Sequence, residues 1–259
     1  MQTDPRIWIA ALSRSHARLV SLIDQLTDEQ LTGPSYASQW SIAQVLSHLG
    51  SGAEISVARL VAAAAGEVAT PGESNQAIWD RWNAKSPQEQ ARDCRRVDEQ
   101  AVRGLQALDD AQLAAIHVSL AGMELDAAGA IGMRLSEHAI HVWDVAVALD
   151  AAAVVSPDAV ELLVDRLALM ASRIGKPGSA RLRLRVHASD PERRWLLAVE
   201  DGVRLESDSP GPADGELRLP AEAFLRLVYG RMDPQHTPAL ALDGWDGSLD
   251  DLRRVFPGF

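Results

Sequence analysis

Cysteine is nearly absent from this 259-residue chain, with Cys94 the single example. One thiol excludes an intrachain disulfide and leaves no thiolate cluster to hold a metal. Aromatic residues make up 5% of the chain. No uninterrupted apolar run approaches the ~18 residues a membrane-spanning helix needs. The opening Met1-Gln2-Thr3-Asp4-Pro5 has none of the basic-then-apolar pattern of a secretory leader. Positive charge is also short. The 25 Lys and Arg stand against 36 Asp and Glu, a formal net charge of −11. Such a balance disfavours nonspecific binding to nucleic acid or to an anionic membrane. What is present is ordinary for a globular protein: 47% hydrophobic and 24% charged residues, enough chain for one large domain or two small ones. The expectation is a soluble, cytoplasmic protein.

The hydrophobic period divides the chain. Over 4–26, Trp8, Leu12, Leu19, Leu22, Ile23 and Leu26 recur at three- and four-residue steps and predict a helix. A second helix is expected from a Ser38 cap to about Ala65, a third over Asn75 to Leu108 with a break near Ser86-Pro87, and a fourth over Leu125 to Leu149. Ser156-Pro157 opens a fifth that ends near Gly175. Beyond Lys176-Pro177-Gly178 the period becomes two. Arg181 to His187 alternates strictly, and Trp195 to Glu200 and Val203 to Glu206 flank an Asp201-Gly202 turn. Leu217 and Leu219 mark another strand, and Leu240 to Leu242 a last one. Pro220 starts a helix that Gly230 can end, and Ser248 caps a final one. The fold class is therefore α+β: a helical bundle over 1–152, a connecting helix and linker over 153–178, and a small α/β domain over 179–259.

The fourth helix carries the most chemistry. Arg134, Glu137, His141 and Asp144 follow at steps of three, four and three, so they share one stripe. Glu137 and His141 can point at one atom. The surrounding helix is apolar on nearly every side, and a buried carboxylate and imidazole must be paired or metal-bound. A metal needs a third ligand, and His48, on the apolar stripe of the second helix, would face the bundle core. Two imidazoles and one carboxylate leave zinc an open position, the arrangement of catalytic sites, although nonhaem iron accepts the same donors. On spacing alone the bland readings stay open: a solvated Glu–His pair, and a satisfied core histidine at His48. Arg134 can pair with Glu137 or line the cleft, and the structural pair is the favoured reading; His138, off the stripe, is read as a surface or core polar residue. Trp79 and Trp82 are read as core, and Arg181, Arg183 and Arg185 as an exposed sheet face.

Ser38-Gln39-Trp40-Ser41-Ile42-Ala43-Gln44-Val45-Leu46-Ser47-His48-Leu49 resembles the metal-binding N-terminal domain of the mycothiol-dependent maleylpyruvate isomerase family, a DinB-like four-helix bundle. Glu137-His138-Ala139-Ile140-His141-Val142-Trp143-Asp144 is similar to that family's second metal motif. The stretch Leu219 to Arg231 and the closing Arg254-Val255-Phe256-Pro257-Gly258 resemble its small α/β domain, so the likeness spans the chain.

The resemblance implies that His48, Glu137 and His141 ligate zinc, with Asp144 orienting a ligand or its water. It implies that Arg231 offers a guanidinium to a substrate carboxylate near the metal; a cation following a helix C-terminus is the plainer reading. The thiol would come from mycothiol as cosubstrate, since Cys94 lies far from either motif. Partners are then a small thiol and a small electrophilic or unsaturated acid. The reaction implied is cis–trans isomerisation of a maleylpyruvate-like substrate, with S-transfer to an electrophile as its alternative. A thiol-independent zinc hydrolase using Glu54 or Asp144 as base, a noncatalytic metal- or thiol-binding protein, and a purely structural bundle complete the alternatives.

Overall fold

Four long helices close a ring in the first of two compact units, Met1–Ala153 and Val154–Phe259. The computed structural model describes residues 4–37, 39–67, 73–120, 122–178 and 181–258. The ring helices are α1 (Pro5–Ile23), α3 (Ile42–Ala64), α5 (Pro87–Gln106) and α7 (Ala127–Leu149). Helix α1 packs on α5 and α7, and α3 packs on the same two. Shorter elements join them: α2 (Asp28–Thr32), α4 (Asn75–Asn83), α6 (Asp110–Ala115) and the antiparallel hairpin β1 (His117–Leu120) and β2 (Met123–Asp126).

Local chemistry accounts for the boundaries. Ser41 and Gln44 form a capping box that starts α3, and Ser86 and Glu89 form another that starts α5 with Pro87 in its first turn. Each helix buries one stripe: Trp8, Leu12, Ser15 and Leu19 on α1, and Ala91, Cys94, Asp98, Val102 and Leu105 on α5. Helix α7 is buried almost all round, which matches its apolar sequence. Gly50 of α3 has a packing reason, because a Cβ there would collide with the buried Trp82 indole.

The second unit holds a five-stranded sheet in the order β5-β4-β3-β6-β7. Its strands are β3 (Leu182–Ser189), β4 (Arg193–Val199), β5 (Val203–Ser207), β6 (Gly215–Pro220) and β7 (Ala241–Asp243). Only the β3–β6 pair is parallel, with Val186 opposite Leu217. Helix α8 (Pro157–Leu163), a 3₁₀ turn over Val164–Arg166, and α9 (Leu167–Ile174) precede the sheet, and α10 (Ala221–Val228) and α11 (Leu249–Val255) follow strands of it. Helix α9 packs on β5, and α10 on β3, β6, α8 and α9. Residues 154–178 thus lie inside the second unit. Leu182, Leu184 and Val186 are buried, alternating with half-buried Arg183, Arg185 and His187. Gly230 ends α10 at φ 70°, with the backbone of Gly258 so close that no side chain fits.

Several sequence expectations are corrected. The cap of α3 is Ser41; Ser38 lies outside the described residues. Leu125 and Asp126 belong to β2, and Asp126 caps α7 through Gly129 N–H. The helix expected to run unbroken from Pro157 to Gly175 is divided by the 3₁₀ turn. Of the two tryptophans read as core, Trp82 is buried with Ile78 on one stripe of the short α4, whereas Trp79, at the margin of that stripe, is exposed. Arg181 is exposed as expected, whereas Arg183 and Arg185 are half-buried beneath ion pairs with Glu200 and Asp208.

Candidate metal centre

Helices α3 and α7 bring His48, Glu137 and His141 together. One ligand atom from each lies within 4.8 Å of the other two. His48 Nε2 is 3.3 Å from Glu137 Oε2, and His141 Nε2 is 3.8 Å from the same oxygen. The two imidazole centroids are 4.7 Å apart and nearly edge-on. Donors about 2.0–2.2 Å from a tetrahedral zinc are separated from one another by about 3.3–3.6 Å. The cluster therefore fits a divalent ion with only small adjustments.

The orientation of His141 also fits. Its Nδ1–H donates to Asp144 Oδ2 at 2.8 Å, and Asp144 is fully buried. That bond fixes the tautomer and leaves the lone pair of Nε2 facing Glu137 and His48, as metal-binding histidines require. Glu137 feels opposing forces. Burial pushes its carboxyl up, but the His48 hydrogen bond and the charges of His141, His48 and Arg134 outweigh it and hold it below the ordinary glutamate range. The carboxylate form, the one that binds metal, is thus favoured. The side chains of His48 and Glu137 are 34% and 35% exposed, so the cluster opens to solvent on one side. Trp40, itself 37% exposed, sits over that side, 5.1 Å from the His48 ring and 6.0 Å from the His141 ring.

A second, unforeseen cluster gathers around Arg134 and His138, beside the first on α7. Asp98 of α5 is buried and accepts from three groups: His138 Nε2 at 2.8 Å, His16 Nδ1 at 2.8 Å and Arg134 Nη2 at 2.9 Å. The Ser15 hydroxyl meets His138 Nδ1 at 2.8 Å. Burial, with the charges of Arg134 and His16, lowers the His138 imidazole pKa despite Asp98, which suits a neutral ring donating to Asp98 and accepting from Ser15. Burial would raise the Asp98 carboxyl, but His138, His16 and Arg134 hold it well below the usual range. Arg134 therefore pairs with Asp98, not with Glu137 as the spacing suggested. The long reach to α5 satisfies two buried charges at once. Asp98 escaped sequence reading because it stands among Arg95, Arg96 and Glu99, although it shares the buried stripe of Cys94 and Leu105.

The remaining candidates are engaged elsewhere. Glu54 accepts from Trp82 Nε1 at 2.8 Å and from Arg81 at 2.6 Å. Cys94 is fully buried, and burial with the nearby Asp98 charge pushes its thiol up. Arg231, in the second unit, is buried and donates to the Tyr229 carbonyl at 2.8 Å.

A helical bundle with a half-open His-Glu-His cluster, joined to a small α/β unit, defines a class of candidate metal-binding proteins. The model of the mycothiol maleylpyruvate isomerase N-terminal domain matches residues 12–146, and the chain belongs to that family. Residues 175–238 match the model of the SCP-2 sterol transfer family. The fold is similar to the crystal structure of the mycothiol-dependent maleylpyruvate isomerase, with 14% identity, a TM-score of 0.69 and 95% of each chain covered. A histidine-to-alanine mutant of that isomerase matches at 13% identity with the same TM-score and coverage. No curated protein matches the chain. Among the described residues, no helix is long and apolar enough to cross a membrane.

Proposed function

We propose that the chain is a cytoplasmic, mycothiol-dependent zinc enzyme that isomerises a maleylpyruvate-like cis-unsaturated acid. The observation that carries the reading is the convergence of His48, Glu137 and His141 within 4.8 Å, on a family background named for this chemistry. Zinc in this donor set acts as a Lewis acid that favours the thiolate of a bound thiol at neutral pH.

The chain's own residues do the rest. His48, Glu137 and His141 are the ligands, and Asp144 fixes the His141 ring so that Nε2 is the binding nitrogen. The half-exposed opening beside Trp40 admits a thiol from solvent. That thiol is a cosubstrate, because Cys94 is sealed in the core with its pKa raised. The reaction class is reversible addition. The mycothiol sulfur bonds to one alkene carbon, the former double bond rotates, and loss of the same C–S bond returns mycothiol and the trans acid. Arg231 is assigned the substrate carboxylate as its charge partner.

S-transfer to an electrophile needs the same ligands and stands as the alternative reaction. The hydrolase alternative is weaker, because Glu54 is tied to Arg81 and Trp82 and Asp144 to His141, which leaves neither named base free for water.

Metal analysis of the purified chain and of His48→Ala, followed by turnover with and without mycothiol, tests the proposal. The expected result is about one zinc per chain, lost in the variant, and isomerisation only when mycothiol is added. A chain that takes up no zinc when zinc is supplied, or turnover indifferent to mycothiol, would overturn it.

A further inference from the structure

Arg134 has an unused edge. Its side chain is 5% exposed and is pinned through Nη2, which donates to Asp98 Oδ1 and to the Leu49 carbonyl, each at 2.9 Å. Nη1 makes no hydrogen bond among the described residues. It points instead at Gly52 of α3, where a Cβ would lie 2.9 Å from it and would meet no other heavy atom within 4 Å.

That glycine has no backbone reason to be there. Gly52 lies in the middle of α3 with ordinary helical geometry, where glycine costs about 1 kcal/mol relative to alanine. Gly50, two residues earlier, makes room for Trp82; Gly52 makes room for the tip of the Arg134 guanidinium, with no other heavy atom outside its own helix backbone within 4 Å of where its Cβ would stand. The space it leaves is half-exposed. It also lies beside the candidate metal centre. His48 of α3 meets Glu137 of α7; one turn beyond His48 is Gly52, and one turn before Glu137 is Arg134. A buried guanidinium with a free N–H edge, aimed into a gap lined by a missing side chain, is a donor waiting for an acceptor.

We propose that Arg134 Nη1, across the gap left by Gly52, is a carboxylate-binding subsite for the acid substrate, built wholly within the helical unit. The assignment rests on the proposed reading of the site as one that acts on an unsaturated acid. It gives that substrate a recognition point independent of Arg231. Asp98 holds the guanidinium in place from behind and compensates its charge, so the incoming carboxylate gains a hydrogen bond from a preorganised group. Because Nη2 is already committed, the contact is single-ended. It orients one carboxylate oxygen and leaves the double bond free to turn.

Calorimetric titration of the full chain with maleate, a cis-unsaturated dicarboxylate, and with its neutral diamide tests the subsite, in zinc-supplemented and metal-free protein. The key variant is Gly52→Ala. It puts a methyl against Nη1 and favours the helix, while keeping Arg134 and Asp98 themselves, so thermal stability, which reports the Asp98 network, and metal content serve as its controls. The expected result is maleate binding to the unaltered chain that weakens at least tenfold in Gly52→Ala, with and without metal. Any binding of the diamide should be unaffected. Arg134→Lys, which keeps the charge but shortens the donor, should weaken maleate similarly. Maleate affinity unchanged in a folded Gly52→Ala variant, or no maleate binding by the unaltered chain, would overturn the assignment. If the chain takes up no zinc, the enzyme reading fails, while the metal-free titration still decides the subsite.

Discussion

Helix α7 contributes to two histidine–carboxylate clusters that differ in burial and in whether their hydrogen bonds are complete. In one, Asp98, itself 1% exposed, gathers His16, His138 and Arg134 at 2.8–2.9 Å. In the other, Glu137 meets His48 and His141 at 3.3 and 3.8 Å, with two of the three side chains about a third exposed. Each set joins a carboxylate to two imidazoles, yet the first, with Arg134 added, has satisfied itself, while the second has ligand atoms that converge within 4.8 Å at longer separations. Long separations in a converging set mean that something else completes it, while short ones in a buried set mean that it is already complete. Function is therefore read from the loosely bonded cluster and stability from the tight one.

The sharpest way to break this contrast is Asp98→Ala. It leaves Arg134 buried without its counter-charge and His138 without its acceptor, and such losses cost about 3–5 kcal/mol. Urea unfolding should show that loss, while the candidate metal cluster of the variant, folded at low temperature, keeps whatever zinc affinity the unaltered chain has. Equal loss of zinc and of stability would mean that the two clusters are one unit. The pH dependence has a definite sign. The folded-state pKa of Asp98 is depressed, so its stabilisation is present above the ordinary aspartate value of about 3.9 and disappears as the pH falls through the folded value. The stability gap between the unaltered chain and Asp98→Asn should therefore narrow on acidification below about pH 4.

Asp144→Asn probes the link between a buried residue and the open cluster. An amide can present its NH₂ to His141 Nδ1 and reverse the tautomer that now leaves Nε2 unprotonated. Loss of such a partner weakens metal affinity by about 10–100-fold. Competition with a zinc chelator reads this directly. Affinity unchanged in the variant would show that Asp144 serves only the fold.

The convergence of His48, Glu137 and His141 was legible in sequence because its parts obey local rules. Glu137 and His141 are one helical turn apart, Asp144 follows at a further turn, and His48 interrupts an apolar stripe. The tight cluster was not, because its pairs join α1, α5 and α7 over long sequence separations, and no spacing announces such partners. Arg134 shows the hazard: a carboxylate three residues away on the same helix was the obvious partner, and burial made Asp98 the actual one. The two-residue period after 181 and the Asp201-Gly202 turn placed the sheet correctly, since alternation and turn chemistry are local. Helices α2 and α6 and the 117–126 hairpin went unread because each is too short to show a period.

The smallest effect distinguishes the clusters most cleanly. In metal-free protein, Glu137→Gln removes a carboxylate that is about one-third exposed and bonded only at 3.3 Å or more. Exposed ion pairs of this kind contribute about 0–1 kcal/mol, because water screens them and the side chains lose entropy in meeting. Stability should therefore change by less than about 1 kcal/mol, against several for Asp98→Ala. Metal binding should nevertheless fall sharply, since the amide offers a neutral oxygen where the cluster held its single negative charge. Unfolding free energies of the metal-free variants, set beside their zinc affinities, separate the two roles. A Glu137→Gln variant that unfolds as readily as Asp98→Ala would show that the carboxylate is a structural anchor, as complete in its bonding as Asp98.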